Sequence, residues 1–275
     1  MQPISEKFRT SVAPEVELHL LRWGRRDAPT LVLLHGGGAN AHWWDHLAPT
    51  LARDHHVVAL DFRGHGDSSR PSELQVGAFN RDLESLCEHL EHPEPVLIGH
   101  SMGAHVALDH ASRHTDLRGL VLIDPSRGGA TRSRRAARLA LSLRRNYATR
   151  EEAIDRLRFV PSALHVEEAL RRQIAEHSVE REPDGRFGFK FDARWFGVPS
   201  RPPPDTSKVG CPTLIVRGEE SQLLSREGAE ALRDEVAEGT LVEIAGAGHH
   251  VLLDRPALLL EALVGWLASI PVRRS

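Results

Sequence analysis

The sequence predicts an α/β domain built on a mostly parallel sheet and interrupted by a helical insertion. Three observations predict it. Short apolar runs alternate with helix-spaced segments up to Asp124. The same alternation resumes at Thr213. Between them, residues 127–205 show helical spacing and a different charge, with 17 Lys and Arg against 11 Asp and Glu. That is a net +6, leaving −9 on the remainder of a 275-residue chain whose net charge is −3. The stretch closes on SRPPPDTS, a stiff proline-rich linker. The expected division is therefore 1–126 with 206–275 for the sheet domain, and 127–205 for a helical cap.

In chain order, Val16–Trp23 alternates like a half-exposed strand, and Thr30–Leu34 is a continuous apolar run that ends at a glycine cluster. His56–Asp61 is the next strand, followed by the turn-rich FRGHGDSSRP. Val76–His89 has the helical spacing of Leu83 and Leu86, continued by Leu90. Pro95–Gly99 reads as a buried strand, Met102–Arg113 as a helix and Leu117–Asp124 as a strand. Inside the insertion, Arg132–Tyr147 sets Leu139, Leu143 and Tyr147 on one helix face. Thr149 and Glu152 make a capping-box pattern ahead of a second helix, and Val166–His177 suits a third. Then come strand Thr213–Arg217, helix Ser225–Glu238, strand Thr240–Ile244 and helix Pro256–Ser269, introduced by Asp254 and Pro256.

Composition bounds the function. With 40% hydrophobic and 27% charged residues the chain can bury a large core. A pI near 6.6 implies no basic field for nucleic acid. Mean hydropathy is −0.33 and every apolar run is broken by charge or proline, so no membrane span is expected. The start, MQPISEKFRT, lacks the layout of a signal peptide, and Cys87 and Cys211 stand in no CxxC. A cytoplasmic protein without disulfides is the expectation. Residues 127–150 hold eight arginines and no acid. Their plain reading is a solvated helix face, and their sharper one is an attraction for acidic substrates.

Three motifs carry chemistry. Gly99-His100-Ser101-Met102-Gly103 lies where a buried strand meets a helix, a turn that strains the serine backbone and stands its hydroxyl at the sheet's carboxyl end. His35-Gly36-Gly37-Gly38 follows another strand, and its bare glycines let backbone N–H groups approach a bound oxygen. The Gly37 amide with that of Met102 would form an oxyanion hole. No Walker A loop or GxGxxG is present, so a phosphate loop is disfavoured. Gly246-Ala247-Gly248-His249-His250 follows the last strand and supplies a general base to the serine. His250 competes with His249 for that place. His42, Asp45 and His46 have helical metal-ligand spacing, but no third cluster at zinc-like spacing accompanies them, so neither metal nor cofactor is expected. Trp43, Trp44 and Leu47 read as the core face of a helix after the glycine loop.

Taken in order, LLHGGG, DFRGHGDS, GHSMGA, LVLID, CPTLIVRGEE and GAGHH resemble the α/β-hydrolase superfamily over nearly the whole chain. The resemblance implies an eight-stranded, mostly parallel sheet, a cap after the sixth strand and the chain order Ser, acid, His. It implies Ser101 as nucleophile, His249 as base, and Gly37 and Met102 as oxyanion donors, with Asp61–Ser68 as a structural brace.

One position departs from that pattern. Relatives commonly carry the acid three residues after the glycine ending the seventh strand, where this chain has Ser221 after Gly218. Asp124, at the end of the sixth strand, is the leading candidate. Glu220 is the alternative, with Glu219 behind it. The expected activity is a serine hydrolase cleaving a carboxylic ester or lactone through an acyl-enzyme. The alternatives are a carbon–carbon bond hydrolase of a diketone, and a small-molecule receptor that keeps the Ser-His-acid set. The sequence has no feature that speaks to oligomeric state.

Overall fold

The structure is a computed structural model that describes residues 1–11, 13–90, 94–125, 146–199 and 201–271. Four apolar runs form its centre: β3 (Thr30–Leu34), β4 (His56–Leu60), β5 (Val96–His100) and β6 (Gly119–Ile123), every residue of which is buried. Burial on both faces is why these runs are continuous rather than alternating. With β1 (Ile4–Arg9), β2 (Glu17–Trp23), β9 (Thr213–Gly218) and β10 (Gly239–Ile244) they make one eight-stranded sheet ordered β1-β2-β4-β3-β5-β6-β9-β10. Strand β2 runs antiparallel to both β1 and β4, and the remaining pairings are parallel. This is the α/β-hydrolase fold that the motifs imply.

The period-two geometry of strands divides the core. Leu31 and Leu33 point into a layer with Trp44, Leu47, Val251, Leu259 and Leu263. Val32 and Leu34 point into the opposite layer with Phe62, Leu83, Leu86, Ala104 and Leu232. The helices that close these layers include α1 (Ala48–Leu51), α2 (Ala78–Leu90), α3 (Met102–Ala111), α6 (Arg226–Glu235), α7 (Val251–Asp254) and α8 (Pro256–Ser269). None of the helices among the described residues is long and apolar enough to cross a membrane.

Three local expectations are corrected. Strand β2 is almost wholly buried rather than half exposed, because β1, which the alternation did not reveal, covers its outer edge. The segment at Trp43 and Trp44 is a 3-10 turn over Ala41–Trp44, although both indoles are buried as expected. The region between β6 and β9 is not all helix: besides α4 (Arg150–Arg156) and α5 (Glu168–Ser178) it holds a hairpin, β7 (Val179–Arg181) with β8 (Phe187–Phe189). Thr149 does cap α4, accepting the Glu152 amide at 3.1 Å. The expected helix Arg132–Tyr147 falls mainly, and the arginine run mostly, on residues 126–145, outside the described residues.

The insertion lies over the loops at the carboxyl ends of the strands. The Gly66 amide donates to the Lys190 carbonyl at 2.8 Å, and Lys190 Nζ donates to Asp67 Oδ1 at 2.7 Å. The Asp192 amide donates to the Gly64 carbonyl, and a Cβ at Gly64 would stand 2.3 Å from the Trp195 indole nitrogen. Asn40 Nδ2, just past the glycine loop, donates to Ser178 Oγ at 3.0 Å. The turn-rich loop after β4 is thus a platform for the insertion, and its glycines are there because neighbouring groups leave no room for a side chain.

Candidate active site

Ser101 sits between the last residue of β5 and the first of α3 with φ 52° and ψ −111°, a conformation that strains any residue with a Cβ. Its neighbours permit the turn. A Cβ at Gly99 would come within 2.5 Å of the Ala104 amide nitrogen, and one at Gly103 within 2.3 Å of the Leu34 carbonyl. The Ser101 amide donates to the Ile123 carbonyl at 3.0 Å, tying the turn to β6. Although Ser101 is the N-cap residue of α3, its hydroxyl makes no capping bond. It turns instead to His249.

Ser101 Oγ lies 3.0 Å from His249 Nε2, and His249 Nδ1 lies 2.7 Å from Asp124 Oδ2. A carboxylate only accepts, so the Nδ1–H donates to Asp124 and leaves Nε2 bare to accept the serine proton. Both partners are secluded, with Asp124 0% and His249 5% exposed. Asp124 has φ 45°, a left-handed turn that Asp tolerates better than most residues. The end of β9 and the loop after it hold its carboxylate: the Gly218 amide donates to Oδ1 at 3.1 Å and Ser221 Oγ donates to Oδ2 at 2.6 Å. Glu220 is exposed, and its amide donates to the Ala247 carbonyl. Glu219 Oε2 accepts the Gly246 amide at 2.9 Å. The imidazole therefore meets Asp124.

Residues 31–262 match the family model described as the alpha/beta hydrolase family. This chain is an alpha/beta hydrolase. It is 29% identical over 274 residues to the esterase Rv0045c of Mycobacterium tuberculosis, covering 92% of this chain and 89% of that one. It is 26% identical over 258 residues to the monoacylglycerol lipase ABHD6 of Bos taurus, covering 88% of this chain and 76% of the relative. Its fold superimposes on E-2-(acetamidomethylene)succinate hydrolase with a TM-score of 0.84 at 22% identity, covering 98% of this chain and all of that one.

In this hydrolase the glycine loop backs directly on the serine turn. A Cβ at Gly36 would stand 3.0 Å from His100 Nδ1 and 3.4 Å from the Ser101 Cβ. Gly37 is exposed at the head of that loop, and the Met102 amide, first in α3, has no intrahelical partner. His35 Nδ1–H donates to the Gly36 carbonyl at 2.7 Å while its Nε2 accepts the Phe62 amide at 3.2 Å, which fixes the loop's start. His250 turns away from the serine and donates Nε2–H to the Pro161 carbonyl of the insertion at 2.8 Å. His100 donates Nε2–H to the His249 carbonyl at 3.0 Å. Burial, reinforced by the neighbouring imidazoles, holds His100 well below its ordinary pKa and takes His250 down to about 3. Both remain neutral donors beside His249, so neither adds a positive charge that would oppose an imidazolium there.

Three contributors escaped the sequence reading. Ser221, at the position where the resemblance would place an acid, instead hydrogen-bonds the Asp124 carboxylate. Gly218 must lack a side chain because a Cβ would stand 2.2 Å from the Gly248 carbonyl. Asp254, read as a helix-start residue, does not cap α8. Its Oδ1 accepts the Leu164 and His165 amides at 2.6 and 2.9 Å, and its Oδ2 accepts the Gly248 amide at 2.9 Å. This buried carboxylate ties the insertion to the loop that carries His249. Its only sequence signal was an acidic residue close to GAGHH.

Proposed function

We propose that the protein is a serine hydrolase that cleaves a carboxylic ester or lactone through an acyl-enzyme on Ser101, beneath a cap formed by the insertion. The reading rests on the hydrogen-bonded line from Ser101 through His249 to Asp124, with the serine at the start of a helix beside the glycine loop. His249 Nε2 takes the Ser101 proton as Oγ attacks the carbonyl carbon. The oxyanion is held by the Gly37 and Met102 amides, aided by the positive end of the α3 dipole. The imidazolium returns its proton to the departing alkoxide, leaving the acyl group on Oγ. Water, deprotonated by the same imidazole, then releases the acid and restores the serine. Asp124 keeps the tautomer and stabilises the imidazolium. No metal or cofactor enters this scheme, and the reducing cytoplasm expected from the sequence suits it. The relatives named esterase and monoacylglycerol lipase favour ester chemistry over the carbon–carbon alternative.

A fluorophosphonate probe tests the reading. One mass increment, on Ser101, together with turnover of at least one member of a panel of esters and lactones, is the expected outcome. Labelling elsewhere, or cleavage of diketones alone, would overturn the ester assignment. Stoichiometric binding of panel compounds without turnover would favour the receptor.

A further inference from the structure

The spacing of His42 and Asp45 is unused by the hydrolytic site, and the structure supplies what the sequence lacked, a third ligand from a distant segment. His42 and Asp45 lie on the turn after the glycine loop, and His177 lies near the end of α5 in the insertion. One ligand atom from each of the three falls within 4.8 Å of the others, and all three side chains are partly buried. The His42 and His177 rings face each other with centroids 3.7 Å apart. His42 Nδ1 donates to Asp45 Oδ2 at 2.9 Å, so two of the three candidate ligand atoms are already adjacent.

A second observation points to a cation. Asp45 Oδ1 is buried with no hydrogen-bond partner, and among the described residues no lysine or arginine pairs with this carboxylate. A buried carboxylate oxygen without a donor is unfavourable, and an ion seated there would relieve it. Two imidazoles and one carboxylate are a donor set for zinc and its neighbours rather than for magnesium or calcium.

We propose that His42, Asp45 and His177 form a binding site for a borderline transition-metal ion such as Zn²⁺ or Co²⁺, clamping helix α5 of the insertion to the turn behind the glycine loop. The ion takes the place of the proton between His42 and Asp45, and the neutral His42 then carries its one ring proton on Nε2. A tetrahedral ion needs about 3.4 Å between ligand atoms, so the His42–Asp45 pair opens slightly and the His177 ring rotates out of its stack to complete the set. The neighbouring Asn40–Ser178 hydrogen bond joins the same two segments without a metal. The clamp therefore tightens a joint that already exists, and it does not depend on which bond the hydrolase cleaves.

The test uses the full chain without an affinity tag and Co²⁺ as probe, since its visible bands report nitrogen and oxygen coordination. One ion should bind per chain, raise Tm and slow amide exchange in residues 168–178. His177→Ala should weaken binding on the order of 100-fold and abolish the Tm rise. His177→Cys, which restores a ligand, should recover both. His249→Ala should leave them intact, because the other imidazole cluster, His100 with His249 and His250, is a separate place. A metal-free Tm near that of the wild type shows that each variant is folded, and His177→Gln is the substitute if His177→Ala is not. Absence of binding by the wild-type chain would overturn the proposal. So would binding that survives both His42→Ala and His177 substitution, or binding that His249→Ala removes.

Discussion

Among the described residues are two Ser-His-Asp lines, alike in their distances and in the burial of their aspartates but unlike in what surrounds the serine. In one, Ser101 Oγ lies 3.0 Å from His249 Nε2, and His249 Nδ1 lies 2.7 Å from Asp124. In the other, Ser5 Oγ lies 2.9 Å from His19 Nε2, and His19 Nδ1 lies 2.7 Å from Asp61. Both aspartates are 0% exposed. Yet Ser5 lies in regular β1 paired with Leu21, with no strained turn, no helix start and no glycine loop beside it. Asp61 is committed to the fold: the Ala41 amide donates to its Oδ1 at 2.6 Å and the Asp67 amide to its Oδ2 at 2.9 Å. Burial alone would raise the Asp61 pKa, but the His19 hydrogen bond, the nearby imidazoles and the Asp67 amide outweigh it and hold the carboxyl below its usual range. Three side chains in line can polarise a hydroxyl. Only the first line also stands at a helix start beside the glycine loop, where the oxyanion donors proposed above would meet the charge that an attack would create.

The sharpest way to break this contrast is at the serines. Ser101→Ala should lower kcat on the order of 10⁶-fold, whereas Ser5→Ala should leave it unchanged. Fluorophosphonate labelling of Ser5, or a large loss in Ser5→Ala, would show that the line alone suffices.

The aspartates come next. Asp124→Asn should keep the fold and cost about 10⁴-fold in kcat by favouring the wrong imidazole tautomer. Asp61→Asn should do the reverse. Its Tm should fall steeply, because an amide in that place leaves buried hydrogen-bonding groups unmet at about 1–3 kcal/mol each, with far less loss of kcat in the folded fraction. Melting curves and kcat measured on both proteins give the answer. A small kcat loss in Asp124→Asn, with a large one in Glu220→Gln, would transfer the acid's role to Glu220.

A finer probe is Ser221→Ala, which removes one hydroxyl donor from Asp124 and leaves the line intact. The expected loss is about tenfold, falling on kcat rather than KM, because the bond positions the acid and does not touch substrate. An unchanged kcat would mean that the Gly218 amide alone suffices to hold the carboxylate.

Mild acid separates fold from site without a substitution. Burial takes His65 and His250 to about 3 and His110 to about 4. Below the unfolded value near 6.5, the unfolded chain binds these protons and the folded one does not, so stability rises with pH up to that value and falls on acidification. Near pH 5 unfolding should take up about three protons from these groups. Denaturation midpoints from pH 7 to pH 5 measure it, and a flat profile would show that these histidines are not held neutral.

Much of this was legible in the sequence because it is local. A buried parallel strand must be a continuous apolar run, so Thr30–Leu34 was placed to the residue. A strand-to-helix turn needs glycines where carbonyls approach, so GHSMG marked Ser101. A histidine on a glycine-rich loop pointed to His249, although the choice against His250 awaited the direction of its ring toward Pro161. Contacts between distant segments left little trace. Strand β1 exists by pairing with β2, and the hairpin β7–β8 has only three residues on each side, too few to show a period. Asp124 and Glu220 could not be separated by spacing, because 94 residues separate Asp124 from the Gly218 amide that holds it. The sequence by itself determined the central strands of the sheet, the strained serine and the bare glycine loop, since each follows from patterning and backbone sterics within a few residues. Only the tertiary structure decided which carboxylate meets His249, that Ser221 serves that carboxylate, and that His177 closes on His42 and Asp45. Hydrogen bonds and ligand sets depend on where unrelated segments pack, and the packing direction is not written in any one of them.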